Sequence, residues 1–537
     1  MMKSSLSKYA AVTTLLVLSL GSMGKSQPLW DLANQKKDLL RIATLFTAQN
    51  VRDHLSSEEG LDKAVEWCKK TGVTHVFIES FRSNYTAERS TLLHAKARFK
   101  AEGFDVSGCV TTTNVGKPST GWNLISCYTD KKTQDHLQQI FEYAASMFDE
   151  IMIDDFLFCD CQCDECKAAR GDRSWAKYHC DLMVEVSRDR ILGPARAVNP
   201  NVKIIIKYPQ WYDDFHNRGY EVLRETANYD RIWVGTETRD YTNKRWGGKV
   251  QYEGYYIMRW LGEIGGAKTG GGWFDPYGTT ENTYVEQARQ TVLADAKEML
   301  LFCYGSLLQD TGPANVEKLR AEIPGLFKLA ELVRNKPIKG VIAPKPPNSD
   351  AYDEQYVFDF VGMLGLPLVP TATIKPDAEA AFFSVHALKD PAFTGKLDKM
   401  LAANKPVLIT DGLAKRLPGL DIDNKNLTIL KLDGNVRNLL KLTREQLKPI
   451  RDKLLSPLGL KFDAPNKVAL YLIGEHSLIV ENFNDESIDA TIEFSKPLRA
   501  QKTLVLPNDG NVNFSTAERT LSFTNLSPRT LVAIEYE

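Results

Sequence analysis

Residues 151–166, Ile-Met-Ile-Asp-Asp-Phe-Leu-Phe-Cys-Asp-Cys-Gln-Cys-Asp-Glu-Cys, run from a short apolar stretch into two adjacent carboxylates and then into four cysteines. The apolar stretch reads as a buried parallel strand with Asp154 and Asp155 at its carboxyl end, where barrel enzymes carry their reactive side chains. Cys161-x-Cys163-x-x-Cys166 has the spacing at which thiolates share one tetrahedral ion. In an oxidising compartment the same thiols could instead pair as disulfides or stay free; metal is the preferred reading.

Other polar residues fall at the ends of further apolar runs: Glu79, Lys207 with Tyr208, Glu237 with Arg239, Asp275, and Tyr304. Trp211 and Trp273 accompany them, and aromatic faces suit the apolar faces of sugar rings. Breaking a glycosidic bond takes two carboxyl groups, one to protonate the leaving oxygen and one to attack the anomeric carbon or activate water. Asp155, Asp154, Glu237 and Asp275 are the catalytic candidates, and Glu79, Lys207, Tyr208, Trp211, Arg239, Trp273 and Tyr304 the substrate-binding ones. Strict alternation lets one of the Asp154–Asp155 pair face the barrel mouth, and Asp155 is preferred because Ile151 and Ile153 share its parity. Structural roles compete: the other aspartate can cap a helix, Glu237 can pair with Arg239, and Asp275 before Pro276 can open a turn. No H-E-x-x-H or G-x-S-x-G occurs, and Gly270–Gly272 lacks the P-loop ending, so no organic cofactor is expected.

These positions gain meaning from the alternation around them. Apolar runs at 40–47, 75–80, 104–111, 150–155, 202–208, 231–237, 270–275 and 299–304 alternate with amphipathic stretches, predicting a (β/α)8 barrel over residues 25–336. Residues 337–466 predict a smaller α/β unit with a partly helical connector, starting with a strand over 338–343. Residues 467–537 alternate as an antiparallel β-sandwich does.

With 537 residues, several domains are expected. A net charge of -1 and no polybasic stripe argue against nucleic-acid or anionic-membrane partners. Lys3 and Lys8, an apolar run from Ala10 to Leu20, and Gly21, Ser22 and Gly24 form a secretory signal pattern over residues 1–24, too short to span a bilayer. A secreted or periplasmic protein is expected, with an oligosaccharide or polysaccharide as its partner; self-association into a homo-oligomer is left open.

The chain resembles the zinc-cluster β-galactosidases of glycoside hydrolase family 42. Cys161, Cys163 and Cys166 match that family's triplet after the strand-four acid/base residue, and Cys127 matches its earlier cysteine. The order of barrel, amidotransferase-like α/β unit and β-sandwich is similar too. The resemblance implies a structural zinc on Cys127, Cys161, Cys163 and Cys166. Asp154-Asp155 stands where the family has Asn-Glu, and Asp275 corresponds loosely to its strand-seven nucleophile. The expected function is an exported glycoside hydrolase; a silent carbohydrate-binding barrel and a zinc-dependent hydrolase are the alternatives.

Overall fold

The computed structural model describes residues 29–243, 245, 248–507 and 512–537; the expected leader at 1–24 lies outside them. Eight parallel strands close a barrel: β1 (Arg41–Phe46), β2 (His75–Arg82), β3 (Asp105–Val110), β4 (Glu150–Ile153), β5 (Lys203–Tyr208), β6 (Arg231–Gly235), β7 (Thr269–Phe274) and β8 (Glu298–Leu301). Each pairs with the next, and β8 returns to β1. Their β-branched and apolar runs are buried on both faces, as a parallel sheet wrapped in helices requires. Leu45, Phe77, Met152, Ile205, Trp233 and Leu300 fill the barrel axis. The glycines of β7 make room there: a Cβ on Gly270 or Gly271 would lie 2.5 or 2.8 Å from atoms of the Trp233 indole.

The surrounding helices start and stop where local chemistry dictates. Ser57 caps Glu58–Thr71, which ends at Gly72 with φ 70°, and Asp130 caps Lys131–Ala145 through the Thr133 N–H. Among the described residues no helix is long and apolar enough to cross a membrane.

Beyond the barrel a five-stranded parallel sheet has the order Leu368–Thr371, Val341–Pro344, Ala381–Phe383, Val407–Thr410, Leu427–Leu430. Its last strand comes from the stretch read as connector. The strand expected over 338–343 is divided at Gly340, whose φ of 147° and approach to Pro367 leave no room for a side chain. Ile338–Lys339 pairs instead with Val468–Ile473, in one of two C-terminal antiparallel sheets. The other begins at Leu460–Asp463.

Candidate active site

The carboxyl ends of the barrel strands surround a cavity of about 780 Å³, within the size range of small-molecule sites. Asp154, Asp155, Lys207, Glu237, Trp273 and Asp275 all lie on its wall. Lys207, almost wholly buried, joins three of the carboxyls. The Nζ is bonded to Asp155 Oδ2 at 2.8 Å and Glu237 Oε1 at 3.1 Å, with Asp154 Oδ1 at 3.7 Å. Two oxygens bonded to one nitrogen are less than about 6 Å apart, the sum of the two bonds. The ammonium also sits 4.2 Å from the Trp273 ring centroid, a cation–π contact that fixes it from one face. Glu237 Oε2 is buried with no hydrogen-bond partner among the described residues.

Asp154 is held differently. Its Oδ2 accepts from Arg82 at 2.7 Å and lies 3.1 Å from Thr111 Oγ1, and its Oδ1 accepts the Asp155 backbone N–H. Arg82 also donates to Glu79 Oε2 at 2.8 Å, and Glu79 further accepts the Ala48 N–H and the Thr111 hydroxyl. Four carboxyls, of Glu79, Asp154, Asp155 and Glu237, therefore face two cations, Arg82 and Lys207. Such a buried imbalance favours holding protons on the least compensated acids. Burial, opposed by Lys207 and reinforced by the charges of Asp154 and Glu237, pushes the Asp155 carboxyl up to about 7. Burial likewise raises Glu79, against the pull of Arg82. For Asp154 the burial penalty is outweighed by Lys207 and Arg82, and its carboxyl is held below the ordinary value.

Asp275 is engaged by Arg239, whose Nε and Nη2 reach its two oxygens at 3.0 and 2.6 Å, the bidentate geometry of a strong ion pair. Arg239 has a left-handed backbone, φ 59°, tied down where its N–H donates to Gln287 Oε1. The Gln287 amide in turn donates to the Asp275 carbonyl.

The structure corrects several expectations. Met152 lies on the barrel axis while Ile151 and Ile153 pack in the surrounding core, so the parity argument for Asp155 is reversed. Asp155 reaches the cavity because β4 stops at Ile153, which frees the chain to turn both aspartates to the wall. Tyr208, one residue past Lys207, faces outward, and its hydroxyl meets Thr226 Oγ1 at 3.1 Å. Tyr304 is not on the wall either: β8 ends at Leu301, and Tyr304 starts a short helix packed on Phe46 and Trp67. Glu79 is fully buried behind Arg82, off the cavity wall, and is linked to it by Arg82 directly and by Thr111, which lies between Glu79 and Asp154. Trp211 and Arg239 do line it.

Sequence reasoning missed Arg82, Trp122, Phe158 and Tyr356 on the wall. A register shift between Glu79 and Phe81 on β2 hides Arg82 from any alternation argument. Tyr356 comes from the α/β unit, where its backbone N–H donates to Asp213 Oδ2 at 2.6 Å, and no local pattern points to it.

The four cysteines converge outside the cavity. The sulfurs of Cys127, Cys161, Cys163 and Cys166 all lie within 4.8 Å of one another. Cys127 is 3.5 Å from Cys166 and 3.9 Å from Cys163, and Cys163 is 3.6 Å from Cys166. A tetrahedron with metal–sulfur bonds of ~2.3 Å has edges of ~3.8 Å, so the set fits a four-thiolate metal site with no open position. Thr129 Oγ1 at 3.0 Å from Cys166 and Lys117 Nζ at 3.8 Å from Cys163 supply outer donors. Cys159 is not in this group. None of the four is on the cavity wall, which separates any bound ion from the carboxylates.

A family model described as "Probable glycosyl hydrolase, catalytic domain" matches residues 27–353. Over 374 residues, 63% of the chain, the sequence is 27% identical to an uncharacterized protein of Saccharolobus solfataricus. That match covers 61% of the relative, so the chain spans about three fifths of its length. Among solved structures, α-L-fucosidase isoenzyme 2 from Paenibacillus thiaminolyticus superposes with TM-score 0.60 at 11% identity, over 93% of this chain and 99% of that one. Gan42B, a GH42 β-galactosidase from G. stearothermophilus, gives 0.58 at 9%, over 94% and 99%. At such identities these likenesses show a shared fold.

Proposed function

This chain belongs to the family of probable glycosyl hydrolase catalytic domains, and on that premise we propose that it hydrolyses glycosidic bonds with Asp155 as proton donor and Glu237 as nucleophile. The observation that carries the reading is the sharing of one buried ammonium by these two carboxyls on the wall of a sugar-sized cavity. Asp155 suits the donor's task, since a carboxyl pushed up to about 7 holds a proton near neutral pH, and the Lys207 ammonium orients Glu237 with a hydrogen bond of 3.1 Å.

In the first step a Glu237 oxygen attacks the anomeric carbon while the glycosidic oxygen leaves with the Asp155 proton. In the second, the Asp155 carboxylate takes a proton from water, whose oxygen displaces Glu237 and restores both groups. Oxygens less than about 6 Å apart suit this double displacement, and the product keeps the anomeric configuration of the substrate. Asp275 is less suited to attack because both its oxygens are held by Arg239; the pair is placed to bind sugar hydroxyls. Asp154 orients Asp155 through its backbone N–H.

The resemblance to zinc-cluster β-galactosidases extends to the four-thiolate set, and in this reading zinc braces the loops after β3 and β4 without touching substrate. The leader-like pattern at 1–24 supports export. The test is a panel of nitrophenyl glycosides and oligosaccharides that includes β-galactosides and α-L-fucosides, the substrates named for the two structural neighbours. Asp155→Asn is expected to lower kcat on the best substrate by about 10² or more with the fold intact. Parental turnover in that variant would remove Asp155 from the mechanism.

A further inference from the structure

Trp122 is the one exposed tryptophan among the described residues, 42% accessible, and it stands at the rim of the cavity with Leu124 beside it. Exposed apolar groups of this kind mark binding surfaces when they are clustered and held. Here they are. The Trp122 ring lies 5.6 Å from Phe156 and stacks at 28° on Phe158, 6.3 Å between centroids. All three rings line the same wall.

The loop that carries Trp122 is fixed at several points. Its backbone N–H donates to Asp160 Oδ2 at 2.9 Å, and Ser119 Oγ donates to Asp160 Oδ1. Gln162 N–H donates to Thr120 Oγ1 at 2.7 Å. Gly121 passes so near that a Cβ would be 2.4 Å from the Asp160 carboxyl carbon. The tryptophan is thus presented in a fixed place, which reduces the ordering cost of binding.

Its position relative to Asp155 says which part of a substrate it meets. A general acid stands beside the bond it cleaves, with the leaving group on one side and the attacked sugar on the other. Lys207 ties Asp155 to Glu237, the attacking group of the hydrolase reading, whereas Phe156 follows Asp155 directly in the chain, and Trp122 and Phe158 pack on from Phe156 without a contact to Glu237 among those the structure gives. Resting on the hydrolase reading above, we propose that Trp122, Phe156 and Phe158 form a stacking platform for a ring in the leaving group, so that the preferred substrates are oligosaccharides or aryl glycosides.

The test uses two substrates with the same sugar, the nitrophenyl glycoside cleaved best by the parent and the corresponding glycosyl fluoride, whose leaving group has no ring. In Trp122→Ala the ratio of kcat/KM for the nitrophenyl glycoside over the fluoride is expected to fall by about tenfold or more, chiefly through KM. Trp122→Phe, which keeps an aromatic face, is expected to retain most of that ratio. Equal losses on both substrates would overturn the platform while leaving the proton-donor assignment standing. Parental activity of Asp155→Asn, with the selective loss still seen in Trp122→Ala, would sink the proton-donor assignment and keep the platform.

Discussion

Lys207 Nζ lies 2.8 Å from Asp155 Oδ2, and that contact links the proposed general acid to the rest of the buried charge cluster. Burial lowers the affinity of the ammonium for its proton, but Asp155, Glu237 and Asp154 more than compensate, so it stays charged. The lysine in turn draws the Asp155 carboxyl down from where burial alone would hold it.

Replacing Lys207 with Met removes the attraction common to Asp155 and Glu237. The Asp155 carboxyl then holds its proton to higher pH, and the alkaline limb of the pH profile of kcat/KM is expected to move upward. A drop in kcat of about 10² or more should accompany the shift. An unmoved alkaline limb would mean that Lys207 does not set the charge of Asp155.

Stability gives an independent view of Asp155. Its carboxyl is raised from an ordinary value near 4 to about 7, so the folded state binds that proton more tightly than the unfolded chain. The stabilisation is complete below about pH 4 and is lost as pH rises toward 7. Asp155→Asn cannot ionise and can still accept from Lys207. It is expected to be more stable than the parent at pH 8, by on the order of 2 kcal/mol, with the gap closing near pH 4. Denaturant melts at the two pH values would check this.

For Arg239 and Asp275 the expected signature is coupling. Asp275→Asn and Arg239→Ala should each lower kcat/KM by about 10- to 100-fold, and the double variant should lose little more than either single one. A loss of about 10⁴-fold in Asp275→Asn alone would instead mark Asp275 as the nucleophile.

The zinc proposed for the four thiolates would brace the wall that carries Trp122, and its loss should loosen that wall. Elemental analysis is expected to find one zinc per chain, and Cys166→Ser should reduce that content and lower Tm. Thiol titration of the native protein should find Cys127, Cys161, Cys163 and Cys166 unreactive until a chelator is added. Absence of zinc, with a disulfide among these cysteines, would contradict the site.

The eight barrel strands were legible because a parallel sheet buried on both faces leaves unmistakable apolar runs, such as Ile204–Ile206 in β5. The carboxylates followed from their places after those runs. Which way each one pointed did not, since alternation ends with the strand: Asp155 reached the cavity by leaving β4, and Tyr304 missed it by starting a helix. Tyr208 failed for the opposite reason, because β5 continues through it and alternation sends it outward. The cysteine spacing was visible in sequence, whereas Trp122 and Tyr356 depend on loop closure over long separations that no local pattern encodes.

Chemical rescue addresses the pair of carboxyls most directly. Glu237→Ala should lose about 10⁴-fold or more in hydrolysis of an activated nitrophenyl glycoside, and azide should restore turnover by forming a glycosyl azide of anomeric configuration opposite to the substrate. Hydrolysis at the parental rate in Glu237→Ala, or azide rescue confined to Asp275→Ala, would show that another group attacks the sugar.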